Sequence, residues 1–97
     1  MNNEVSVTMS RTLDLVLMHK WFDMIACGDK KEEYREIKPF WENRFTKFSY
    51  SEVCFHRGYT SMTMIWKIKR IRRGIGKPEW GAPPYEVFII ELEPMND

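Results

Sequence analysis

Residues 12–35 read TLDLVLMHKWFDMIACGDKKEEYR, and the period of their apolar residues changes within that span. Thr12 to Met18 is extended and apolar, which predicts a first strand. Met18, Trp21, Phe22 and Ile25 then fall at i, i+3, i+4 and i+7, the signature of a helix with one apolar face, from about His19 to Cys27. Gly28 stands where a left-handed helix stop belongs. Beyond it the chain extends again, and Glu33 and Arg35, two residues apart, point to one side, with Lys30 still in the turn. Strand, helix and strand therefore follow one another without a linker.

Working outward, EIKPFWENRFTKFS carries a proline suited to a first helical turn, followed by Trp41, Arg44, Phe45 and Phe48 at helical spacing. A second short helix is predicted over about Pro39 to Lys47. SEVCFH alternates as a strand does, RGYTS is its turn, and MTMIWKIKRIRR is a longer strand. In that strand Met64, Trp66 and Ile68 keep a period of two and the next apolar residue is Ile71, a step that predicts a bulge at Lys69–Arg70. GIGKPEWGAPP is a rigid loop. EVFIIELE is apolar on both faces and is expected to be a buried closing strand. The predicted class is α+β: a small β-barrel of about five strands flanked by two short helices.

The chain has 97 residues, room for one domain. Residues 1–10 are polar and irregular and are expected to form a flexible tail, with residues 11–97 as the domain. Apolar residues make up 43% of the chain, and four tryptophans need a core to pack on, which excludes a disordered protein. Trp21, Trp41 and Trp66 are assigned to that core. The longest apolar runs hold four residues, too short for a membrane span. The start of the chain has no secretory pattern, so a cytoplasmic location is expected. Cys27 and Cys54 are expected as buried free thiols, and their spacing predicts neither a metal site nor a bound cofactor.

The chemistry-bearing residues fall into four groups. Lys30, Glu33 and Arg35 could converge at the mouth of the sheet, where an arginine fork reads phosphate or carboxylate; the plainer alternative is an exposed hairpin edge with weak ion pairs. Lys67, Lys69, Arg70, Arg72, Arg73 and Lys77 form a run without an acid, which suits backbone phosphates or protects an edge strand. Tyr59, Trp80 and Tyr85 lie in or near loops, and of these Trp80 is the best candidate to stack on a base; the plainer alternative is a loop tryptophan folded back over the small core. His56 and His19 are single histidines with no carboxylate partner evident in sequence, and Cys54 and His56 share a strand face.

Gly28-x-Lys30-x-x-Glu33-x-Arg35 resembles the GxKxxExR motif of ASCH domains, a family related to PUA-like β-barrels, and the strand and helix before it are placed as in that family. The resemblance implies a barrel with a cleft beside the first helix, in which Lys30, Glu33 and Arg35 meet RNA or a nucleoside. Trp80, Lys69, Arg70 and Arg72, chosen on their own chemistry, are expected to extend that surface. One branch of the family is of similar size and removes the acetyl group of N4-acetylcytidine, using the motif lysine and a threonine three residues later. Here that position is Glu33. As an enzyme of that kind the protein would use Lys30 to polarise the amide and Glu33 to activate water, a role the neighbouring cations oppose. A third reading is a protein-interaction adapter docking through the loop Lys77–Tyr85.

Overall fold

Leu13, Leu15 and Leu17 alternate with Thr12, Asp14 and Val16 along the first strand, β1 (Ser10–Leu17), and the leucines are buried while the intervening residues are exposed. The computed structural model of the protein describes residues 10–95. The tail expected over residues 1–10 lies outside them except for Ser10, which already belongs to β1. The elements that follow are α1 (His19–Ala26), β2 (Glu32–Arg35), α2 (Pro39–Lys47), β3 (Ser49–Arg57), β4 (Thr63–Gly74) and β5 (Val87–Glu93), with a single 3₁₀ turn at Pro78–Trp80.

The five strands form one sheet in the order β1-β3-β4-β5-β2, curled into a half-barrel. β1 runs parallel to β3, and every other pair is antiparallel. The protein is thus an α+β, barrel-like fold of five strands and two short helices. The barrel is not closed by a ladder: β1 and β2 are the two edges. β5 is apolar on both faces because it lies inside the sheet, between β4 and β2, with Val87 to Ile90 all buried; it is not the closing strand.

The main core joins Leu13, Leu15 and Leu17 of β1 to Phe22 and Ile25 of α1, Val53 and Phe55 of β3, and Ile90 and Leu92 of β5. A smaller core holds Tyr34, Ala82, Val87 and Ile89, with Trp80 packed on it. α2 begins at Pro39 and contributes an aromatic layer rather than buried residues: Trp41 stacks on Phe45 at 5.6 Å, and Phe45 meets Phe88 edge-on at 5.0 Å. The expected bulge is present. The β4–β5 register shifts between Ile68 and Arg70, which leaves Lys69 without a cross-strand partner and returns Ile71 to the apolar face.

Three expectations about burial fail in whole or in part. Met18 is 70% exposed because it caps α1 rather than joining its apolar face. Trp41 and Trp66 pack against the main core as expected but, like Trp21, are only half-buried, since a side chain as large as an indole is seldom covered completely. Cys27 is exposed at the helix end and Cys54 half-buried on the outer sheet face; both are free thiols. Among the described residues, no helix is long and apolar enough to cross a membrane.

Candidate functional site

The end of α1 sets the site. Gly28 takes a φ of 89°, its N–H donates to Ile25 O at 3.0 Å, and Asp29 N–H donates to Met24 O at 2.8 Å, the paired bonds of a Schellman stop. Lys30 N–H also donates to Met24 O, at 3.0 Å, so the turn closes tightly and carries the Lys30 side chain inward. β2 then places Glu33 and Arg35 on one side of the strand, as their spacing predicts.

Lys30 is 1% exposed. Its Nζ donates to the Trp80 carbonyl oxygen at 2.5 Å and pairs with Glu33 Oε1 at 3.2 Å. It also sits 4.7 Å from the Tyr34 ring centre and 5.1 Å from that of Trp21. Burial pushes the Lys30 pKa down, and the Glu33 charge opposes that shift. Glu33 Oε2 accepts from Arg35 Nη1, which also donates to Tyr34 O, while Arg35 Nη2 donates to Val16 O at 3.3 Å. The last bond runs from β2 to β1, so Arg35 ties together the two unpaired edges of the half-barrel. Lys30, Glu33 and Arg35 are therefore a connected cluster at the seam, not an exposed hairpin edge.

A cleft of about 290 Å³ opens at this seam, between Val16 to Met18 on one side and the motif residues on the other. Trp21 and the Trp80–Gly81 turn form its remaining walls. Gly81 has a φ of +96°, and a Cβ there would lie 2.8 Å from the Trp21 ring, so glycine is what lets the turn rest on the indole. Chemically, the cluster carries two cations against one carboxylate. Two of the three Lys30 donors are engaged by Glu33 and Trp80 O, which leaves one N–H for a ligand oxygen.

Trp80 also walls a second cavity of about 250 Å³, lined with Lys31, Glu32, Lys69 and Lys77, and Lys77 Nζ lies 4.4 Å over its ring. Trp80 thus packs on the small core and borders open space at once. Lys69 reaches this second cavity, not the seam cleft. Arg70 and Arg72 reach neither: Arg70 Nε contacts Glu91 at 3.0 Å, Arg72 Nε contacts Glu91 at 2.5 Å, and Arg72 Nη2 lies 3.5 Å from Glu32. Arg73 pairs with Glu42 at 2.9 Å. The basic run carries no acid in sequence, but β5, β2 and α2 bring acids to it. Tyr59 is 97% exposed at the β3–β4 turn, and Tyr85 donates to Glu36 at 2.7 Å; neither lines the cleft.

The Glu91 pairs make a prediction about pH. Its hydrogen bond from Arg72 holds the carboxyl below the usual range, against the opposing effect of burial. Folded Glu91 binds its proton less tightly than unfolded, so its contribution is complete above the unfolded pKa of about 4.3 and is lost as pH falls below that. Urea unfolding from pH 7 to 3 should show a falling acid limb, shallower in Glu91→Gln than in the parent; equal slopes in both proteins would refute the assignment.

Trp21 and Tyr34 also line the cleft, and neither is among the site residues that the sequence singles out. Trp21 carries a core signature in its helical spacing, and Tyr34, the variable position inside the motif, donates to Glu32 Oε1 at 2.8 Å and accepts from Lys77 N–H at 3.1 Å. Burial raises the Tyr34 pKa far above its ordinary value, so it stays a neutral phenol that anchors the loop. Compared with known proteins, the chain matches no family model, no curated protein and no solved structure.

Proposed function

We propose that the protein is a cytoplasmic ASCH-type, PUA-like domain that binds RNA or a modified nucleoside in the seam cleft. The observation that carries this reading is Lys30, buried at the cleft floor between the Trp21 and Tyr34 rings, with one N–H beyond those that Glu33 and Trp80 O engage. The cleft is at the small end of ligand sites, the scale of one nucleoside rather than a duplex. Trp21 and Trp80 offer faces for a base. Lys30 and Arg35 favour a carbonyl or phosphate oxygen, and Glu33, with lone pairs beyond those its cations use, can accept from a base amino group. Binding is favoured over amide hydrolysis because both Glu33 oxygens are already held by cations, which disfavours activation of water.

Short single-stranded RNA followed by fluorescence anisotropy, and N4-acetylcytidine followed by tryptophan quenching, test the reading directly. Saturable binding of either is expected, with Trp80→Ala weakening it by about 1–3 kcal/mol. Lys30 and Arg35 are the cations that line the cleft, so about two phosphates should be contacted there. The slope of log K against log salt should then be near −1.4, from about −0.7 per phosphate. A slope several times steeper would place RNA on the basic strand instead of the cleft. Release of acetate from N4-acetylcytidine, abolished in Lys30→Met, would move the conclusion from binding to hydrolysis.

A further inference from the structure

On the outer face of the sheet, β1 and β3 run parallel with Asp14 opposite Cys54 and Val16 opposite His56. Side chains two apart on a strand share a face, so Cys54 and His56 stand side by side, and the register sets Asp14 against them. Asp14 Oδ1 lies 2.9 Å from His56 Nε2, and one carboxylate oxygen, the Cys54 sulfur and a His56 ring nitrogen all fall within 4.8 Å of one another. The sequence spacing predicts no metal site because Asp14 is forty-two residues from His56.

From this juxtaposition we infer a surface site for a divalent transition-metal ion of the zinc class, held by Asp14, Cys54 and His56. A sulfur, an imidazole nitrogen and a carboxylate oxygen form a donor set that zinc takes readily, while calcium and magnesium, which prefer oxygen alone, do not suit it. Tetrahedral bonds of about 2.0–2.3 Å put ligand atoms about 3.3–3.8 Å apart, and the donor atoms here, all within 4.8 Å of one another with Asp14 and His56 at 2.9 Å, bracket that spacing. Three protein ligands leave the fourth position to water or to an incoming ligand. The arrangement is not that of a nucleophilic triad. A triad needs histidine bonded to both nucleophile and acid, and among the described residues His56 is bonded to Asp14 but not to Cys54. Displacing the half-exposed Asp14–His56 pair costs the protein little, because such pairs are weak.

Titration of the whole chain with Co²⁺, a spectroscopic substitute for zinc, tests the site. Saturation at one equivalent is expected, with a near-ultraviolet thiolate-to-metal band, and Zn²⁺ should displace the Co²⁺. Cys54→Ser should abolish the band, Cys27→Ser should leave it, and Asp14→Asn and His56→Ala should each weaken binding by at least about tenfold. Far-ultraviolet circular dichroism checks that each variant is folded. Absence of saturation up to millimolar Co²⁺, a band that survives Cys54→Ser, or an affinity in Asp14→Asn or His56→Ala equal to the parent's would each overturn the assignment. Asp14, Cys54 and His56 do not line the nucleoside cleft, so the metal titration and the nucleoside titration are read separately and failure of one does not decide the other.

Discussion

Lys30→Ala should destabilise the protein by about 3–5 kcal/mol, the range found when one partner of a buried ion pair is removed. Two effects add. The truncation leaves a void where a fully buried stem packed between Trp21 and Tyr34, and it leaves Trp80 O and one Glu33 oxygen without their donor. Lys30→Met separates them, because it keeps the stem and removes only the charge, and its loss should be about half as large. Glu33→Ala should cost a similar amount to Lys30→Ala, since it strands a buried ammonium. The double variant Lys30→Met, Glu33→Ala should lose clearly less than the sum of the singles. Urea denaturation of the four proteins checks this; additive losses would mean that the pair is not coupled. For function, Lys30→Met is the informative variant. Being folded, it should fail to bind nucleoside, and retained affinity would remove Lys30 from the ligand site.

Gly76→Val is the second substitution with a large expected effect, about 3 kcal/mol. Gly76 is buried beneath the loop that carries Trp80, and a Cβ there would collide with the Tyr34 ring and lie 2.7 Å from the Ala82 Cβ. Tyr34 cannot give way freely, because its hydroxyl is held between Glu32 and Lys77 N–H. The damage should therefore pass to the loop, loosening Trp80 and the cleft wall it forms. A drop in urea midpoint together with a red shift of tryptophan emission is the expected result. An unchanged midpoint would show that the loop does not rest on Tyr34. Gly28→Ala makes a contrast, since nothing lies within 4 Å of its missing Cβ and only the positive φ opposes the change.

How much of this was legible in the chain depends on the range of the interaction involved. The α1 stop at Gly28, the shared side of Glu33 and Arg35, the proline start of α2 and the bulge beside Lys69 all follow from residues within a few positions of one another, and all are in the structure. Local backbone sterics and the two side-chain periods were sufficient for them. The burial of Met18 and Cys27 was misjudged, because periodicity says which face a residue occupies and not whether the element continues beyond it.

What the sequence determined by itself was the order and kind of the elements and the shared side of Glu33 and Arg35 beyond the turn that holds Lys30. That the three form one buried cluster and not an exposed hairpin edge was decided by the tertiary structure. Only the tertiary structure decided that this turn meets the far edge of the sheet, where Arg35 reaches Val16 and leaves a seam instead of a closed barrel. It also decided that Glu91 and Glu32 would occupy the arginines of β4, and that Asp14 would stand beside Cys54 and His56. The physical reason is common to all of these. Strand order and register bring together side chains from distant parts of the chain, and no local propensity encodes which edge or which strand becomes the neighbour.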